Sequence, residues 1–191
     1  MSKKLILLIG APGSGKTTDG FIIAEKHSDI TNYCTGELLH AESQKDTKLG
    51  KIMKGFLSSG KLVPTDIVID IIVQAIRKSE TDIVLLGGFP RKSKQMKMFA
   101  DALFNIEGIE FSSVIEIKVS EEVARKRVFG EGESNEAFDT EMKIYQDTIA
   151  EIEEFYNKDN LLQVVDGERE TQAVIDDLDN ILKNKISNLS A

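Results

Sequence analysis

The 191 residues fit one domain of ordinary size, long enough to bury a core without disulfide or metal support. With 29% charged residues and a net charge of −8, the composition is that of a soluble globular chain and disfavours a nucleic-acid coat or a binder of anionic membranes. The single cysteine, Cys34, excludes an internal disulfide and a cysteine-based zinc cluster.

Lys4–Ile9 is a short apolar run that ends on glycine, which predicts a strand buried on both faces. It is too short for a membrane span and leads straight into a glycine loop, so it is not read as a targeting segment. Lys16–His27 has helical spacing, with Phe21, Ile22 and Ala24 expected on the inner side. A strand is expected at Ile30–Cys34, then short helices at Gly36–Glu42 and Thr47–Leu57, with the second stopped by Ser-Ser-Gly. Pro64 precedes Asp66, a candidate N-cap for an apolar helix over Ile67–Arg77.

Asp82–Leu86 predicts another buried strand, Ser93–Leu103 a helix and Ser113–Val119 a strand. Ser120 then caps a helix running through Val128. Residues 130–135 read as loop and Glu136–Tyr156 as a long helix. Leu161–Val165 is the last strand, Thr171–Ile186 the last helix, and the terminal Asn-Leu-Ser-Ala is expected to fray. Five apolar strands alternating with helices imply an α/β fold with a parallel sheet covered on both faces.

One motif carries chemistry on its own. Gly10-Ala11-Pro12-Gly13-Ser14-Gly15-Lys16-Thr17 satisfies G-x-x-x-x-G-K-[ST] between a predicted strand and helix. Glycines let backbone N–H groups turn inward around phosphate oxygens, and the following helix aims its positive dipole end at the same point. Lys16 is placed to reach β- and γ-phosphates and Thr17 to ligate Mg²⁺. That combination predicts nucleoside triphosphate binding and leaves the phosphate acceptor open.

Four stretches narrow the acceptor. GAPGSGKTT at 10–18, CTGELLHAE at 34–42, GKLVPTDIV at 60–68 and GGFPRKSKQ at 87–95 stand in the order and spacing of adenylate kinases. The chain resembles the short-lid bacterial members of that family from about residue 4 to residue 185.

The resemblance implies a P-loop NTPase fold and phosphoryl transfer between ATP and AMP, giving ADP, with Mg²⁺. It further implies a single domain over residues 1–191, with an AMP-binding insert at 34–63 and a short lid at 129–141. The ATP side would comprise Gly13, Ser14, Gly15, Lys16, Thr17, Thr18, Arg127 and Arg169. The AMP side would comprise Thr35, His40, Lys61, Leu62, Val63, Gly88, Phe89, Pro90, Arg91 and Gln95. Lys16, Arg91 and Arg127 are the implied catalytic cations and Thr17 the implied metal ligand. A guanidinium fork suits the AMP phosphate and an amide suits an adenine edge. Arg125 and Lys126 read as a solvated face. A cytoplasmic monomer, without nucleic-acid or membrane partners, is the implied setting.

The pattern also breaks. Residues 131–141 read EGESNEAFDTE, with Glu131 and Glu141 where family lids carry arginines. Gly87 stands where the family has a magnesium-holding aspartate, and His40 where it has an arginine. Asp82 cannot replace that aspartate, since five residues of strand put it about 16 Å away. Cys34 replaces a serine, a change expected to matter little. Two readings stay open on these residues: a kinase whose acidic lid weakens turnover, or a nucleotide-binding relative without turnover. A third, a kinase for UMP or CMP, is opposed by Thr35 and Gln95.

Overall fold

Runs of leucine and β-branched residues form the centres of the strands, uninterrupted in Leu5–Ile9 and Ile83–Leu86, and their hydrogen bonding sets the layout. In the computed structural model, residues 2–58, 63–130 and 135–187 are described. The strands are β1 (Lys3–Ile9), β2 (Ile30–Cys34), β3 (Ile83–Gly87), β4 (Ile109–Lys118) and β5 (Leu162–Asp166). They form one parallel sheet in the order β2-β3-β1-β4-β5. The helices are α1 (Lys16–Lys26), α2 (Thr35–Ser43), α3 (Lys48–Ser58), α4 (Thr65–Lys78), α5 (Ser93–Phe104), α6 (Glu121–Phe129), α7 (Glu136–Asn157) and α8 (Thr171–Ser187).

Alternate side chains of the central strands feed two cores, as strand geometry requires. On one face Leu5, Leu7, Val84, Leu86 and Val114 pack with Ile72, Phe99, Ile152 and Tyr156 from α4, α5 and α7. On the other, Ile6, Leu8, Leu85, Ile115 and Ile117 pack with Ile23 of α1 and Val174, Ile175, Leu178 and Leu182 of α8. β1 lies between β3 and β4, so its carboxyl end is the crevice where ligands bind in open α/β sheets.

The expected α/β class, strand count and helix order all hold. Several local expectations do not. Phe21 is 42% exposed, and Ile23 is the buried apolar residue of α1, with Ile22 and Ala24 partly buried against the same core as expected. The 100° step of the helix puts Ile23 with Gly20 and Asp19 on the sheet side and turns Phe21 outward. Pro64, not Asp66, sits at the N-cap of α4, and Asp66 lies in the first turn, where its charge still meets the helix dipole. β4 starts at Ile109, four residues before Ser113, because Lys3 to Leu5 of β1 pair with Ile109 to Phe111. Ser120 does cap α6: its side-chain oxygen accepts from the Val123 N–H at 3.3 Å. The expected helix stop at residues 58–60 and the frayed tail fall largely outside the described residues.

Candidate functional site

The loop after β1 has a backbone that only glycine tolerates. Gly13 and Gly15 have φ of 78° and 96°. A Cβ on Gly13 would lie 2.6 Å from the Ala124 carbonyl oxygen, and one on Gly10 2.5 Å from the Ile117 oxygen. The loop is therefore pressed against β4 and α6, which fixes its curvature. The Ser14 side chain is 1% exposed and its hydroxyl has no partner among the described residues. A buried polar group of this kind is satisfied by a ligand or water in the loop. The Thr17 hydroxyl makes no hydrogen bond among the described residues, and it opens α1, where the helix N–H groups are free.

Lys16 folds back over the loop, its ammonium donating to the Ala11 carbonyl at 2.9 Å. Burial, then the neighbouring Arg91 guanidinium, push its pKa down to about 8, while Glu141 and Cys34 pull the other way. A partly desolvated ammonium of this kind gains strongly when an anion arrives.

Arg91 lies across the same cavity, which is lined by Lys16, Gly88, Phe89, Pro90, Glu141 and Tyr145, among others. Its Nε donates to the Gly88 carbonyl at 3.1 Å, and its backbone N–H to Gln95 Oε1 at 2.8 Å. Its Nη1 donates to Glu141 Oε1 at 3.0 Å, joining the β3–α5 loop to α7. Behind it Phe89, 1% exposed, packs edge-on against Phe99 with ring centres 4.9 Å apart. This buried pair anchors the loop that carries Arg91.

A second cleft of about 600 Å³ opens on the far side of Arg91, within the size range of small-molecule sites. Its walls include Thr35, Val63, Gly88, Arg91, Gln95 and Glu141. The Thr35 hydroxyl donates to the Gly87 carbonyl at 3.0 Å, tying α2 to the end of β3. Gly87 itself has room: a Cβ there would meet only the Tyr33 oxygen, at 3.7 Å.

On the other side of the loop, Arg127 donates from Nη2 to the Gly167 carbonyl at 2.7 Å and from Nη1 to the Ser14 carbonyl at 3.4 Å. It thus joins α6, the phosphate loop and the turn after β5.

The structure brings Lys16, Arg91, Thr35, Val63, Gln95 and the Gly88–Pro90 turn around the two cavities. It does not bring His40 or Arg169 to their walls. His40 is exposed in the last turn of α2, and Arg169 is exposed and paired with Asp177. Lys61, Leu62 and Glu131 lie outside the described residues. Arg125 departs from the solvated reading. It sits 5.0 Å from the centre of the Phe138 ring and pairs with Glu121 and Asp139, so it fastens α6 to α7.

Two features escaped the sequence reading. Asp19 is 5% exposed, and a Cβ on Gly15 would lie 3.1 Å from its Oδ2. Burial pushes its carboxyl up to about 6, with the Arg127 guanidinium opposing. Glu116 of β4 is fully buried and accepts from the Tyr145 hydroxyl at 2.9 Å, so Tyr145 is held in the cavity wall from behind. Burial, then a hydrogen bond with Glu153, holds the Glu116 pKa above the usual carboxylate range. An acid at a core-facing position of an apolar strand was the available signal.

A phosphate loop at the end of the central strand, opposed by a guanidinium across one cavity, defines a P-loop phosphotransferase of the α/β class. A family model for adenylate kinase matches residues 8–161. The adenylate kinase of Nautilia profundicola is 45% identical over 188 residues, covering 96% of this chain and 98% of that protein. That of Campylobacter lari is 43% identical over 184 residues, covering 94% and 97%, and that of Sulfurovum sp. is 43% identical over 196 residues, covering 96% and 100%. The chain belongs to the adenylate kinase family.

Proposed function

We propose that the protein transfers a phosphoryl group reversibly between ATP and AMP, with two ADP as the product. The observation that carries this reading is the meeting of Lys16 and Arg91 across one cavity at the carboxyl end of the sheet. Near-full-length similarity to adenylate kinases supports the enzyme over the reading without turnover.

In this reading an oxygen of the AMP phosphate attacks the γ-phosphorus. The new P–O bond forms as the bond to the β–γ bridging oxygen breaks, and that oxygen leaves on ADP. No side chain forms a covalent intermediate. The loop N–H groups, the Ser14 hydroxyl and Lys16 hold the donor phosphates and offset the charge that moves onto the bridging oxygen. Gly13, Gly15 and Thr18 complete that grip. Arg127 steadies the ATP side through its bonds to the Ser14 and Gly167 carbonyls. Arg169, in the turn after β5, borders the same side. Arg91 holds the acceptor phosphate. Thr35, Val63 and Gln95 with the Gly88–Pro90 turn shape the acceptor cleft.

Residues 34–63 act as the acceptor-binding insert and 129–141 as the lid. Mg²⁺ bound with ATP would supply neutralisation of phosphate charge. The unbonded Thr17 hydroxyl fits it as a ligand. No group of three or more His, Cys, Asp or Glu residues gathers among the described residues. No helix among the described residues is long and apolar enough to cross a membrane. A cytoplasmic monomer is the setting we infer.

The test is ADP formation from ATP, AMP and Mg²⁺ by the purified protein beside Lys16→Ala. Turnover lost in the variant supports the reading. Turnover absent from both, with ATP still bound by the unmodified protein, refutes it.

A further inference from the structure

The acceptor clamp is already engaged by an anion of the chain itself. Arg91 spends one N–H on the Gly88 carbonyl and another on Glu141 Oε1, 3.0 Å away. Glu141 lines both the Lys16 cavity and the acceptor cleft, so its carboxylate stands at the junction where donor and acceptor phosphates have to meet. Arg91 and Glu141 are each 50% exposed, so the pair can part without stranding a buried charge.

We propose that Glu141 is a specificity-determining residue of the acceptor site: its carboxylate competes with the incoming phosphate for Arg91 and favours a phosphate carrying one negative charge over one carrying two. The proposal rests on the reading of Arg91 as the acceptor-phosphate clamp.

The physics follows from charge. A phosphate monoester loses its second proton near pH 6, so the acceptor is mostly dianionic at pH 7.5 and largely monoanionic at pH 5.5. Each extra unit of negative charge at about 5 Å from a half-exposed carboxylate costs a factor of roughly five to ten in affinity. A neutral amide of the same shape removes that repulsion and frees the second edge of Arg91.

The charged and titratable groups that line the two cavities with Glu141 are Lys16 of α1, Asp66 of α4, Tyr145 of α7, and Arg91, Lys92 and Lys94 around the start of α5; Cys34 of β2 acts on Lys16. Asp19, with a pKa of about 6, titrates in the same window on the donor side. Comparing Glu141→Gln with the unmodified protein at each pH separates Glu141 from all of these.

Initial rates give KM for AMP and for ATP at pH 5.5, 6.5 and 7.5 for the unmodified protein, Glu141→Gln and Glu151→Gln. Glu151 is on the same helix but bonds Ser93 and Lys97 outside the cavities, so its variant is the control. Glu141→Gln is expected to lower KM for AMP about 25- to 100-fold at pH 7.5, where repulsion of two charges is relieved, and about five- to tenfold at pH 5.5, where repulsion of one is. KM for ATP falls by less than KM for AMP at pH 7.5, and Glu151→Gln changes neither constant. An unchanged or higher KM for AMP in Glu141→Gln at pH 7.5, or a fall of equal size at pH 5.5, overturns the proposal. If no ADP forms with any variant, the phosphoryl-transfer reading fails separately. Calorimetric AMP affinities of the same proteins then decide this proposal: tighter binding by Glu141→Gln at pH 7.5 supports it, and equal binding overturns it.

Discussion

Replacing Lys16 by Met should destroy turnover yet stabilise the protein without nucleotide. The pKa of Lys16 falls from 10.5 to about 8 on folding, chiefly through burial and then through Arg91. That shift corresponds to about 3 kcal/mol of unfavourable free energy for the charged form in the folded state. Below pH 8 both states carry the proton and the cost is present in full. Between about pH 8 and 10.5 the unfolded chain binds more protons than the folded one, so stability rises with pH across that window.

Methionine keeps most of the side-chain length and removes the charge. It also loses the ammonium's bond to the Ala11 carbonyl, which offsets about 1.5–3 kcal/mol. The net expectation at pH 7 is a gain of up to about 1.5 kcal/mol, or up to about 6 °C in Tm for a chain of this size. Thermal melts of both proteins without nucleotide, at pH 7 and pH 9.5, measure it. The difference should narrow at pH 9.5, where the unmodified protein has shed part of its cost. Saturating ATP should reverse the order, because the ammonium is what the triphosphate engages. A Met variant that melts below the unmodified protein at pH 7, or a difference that does not change with pH, would refute the argument.

Gly13→Ala forces a Cβ to within 2.6 Å of the Ala124 oxygen at a φ of 78°. It should cost about 1–3 kcal/mol in urea unfolding and weaken ATP binding at least tenfold by calorimetry, an order of magnitude that follows from the strain and the displaced N–H groups. A Cβ at Gly87 meets nothing closer than 3.7 Å, so the backbone accommodates Gly87→Asp and its Tm should stay within about 2 °C of the parent. If the family's carboxylate at this position is what the site lacks, that variant should raise kcat severalfold at saturating Mg²⁺; an unchanged kcat would show that it is not. Glu116→Gln removes a buried carboxyl whose pKa is held up by burial and by Glu153. The folded state retains that proton above the unfolded pKa, so the unmodified protein loses stability as pH rises through the window. Melts from pH 4.5 to 8 should show Glu116→Gln gaining on the parent as pH rises, and parallel curves would contradict it.

The sheet was legible because its signal is local. Runs such as Leu5–Ile9 and Ile83–Leu86 cannot be exposed, and a glycine closing each one says where the strand stops. The phosphate loop was legible for a related reason: its glycines, Lys16 and Thr17 are contiguous, so the geometry is written in eight adjacent residues. Helix faces were less so, since Phe21 and Ile23 differ by 200° of helix rotation but by only two positions in the chain.

The site's polar pairings lay furthest from sequence. Arg91 and Glu141 are separated by 50 residues, and Glu116 and Tyr145 by 29. Only the packing of α7 across the β3–α5 loop and β4 brings them together. Motif matching places an acid at position 141 and can say only that an expected cation is missing there. The fold adds that this acid lies against Arg91, the one guanidinium among the described residues that line the two cavities. A missing charge would weaken transfer uniformly across acceptors. A carboxylate fixed on the clamp makes affinity depend on the acceptor's own charge, and the difference between those two behaviours can be measured in a pH profile.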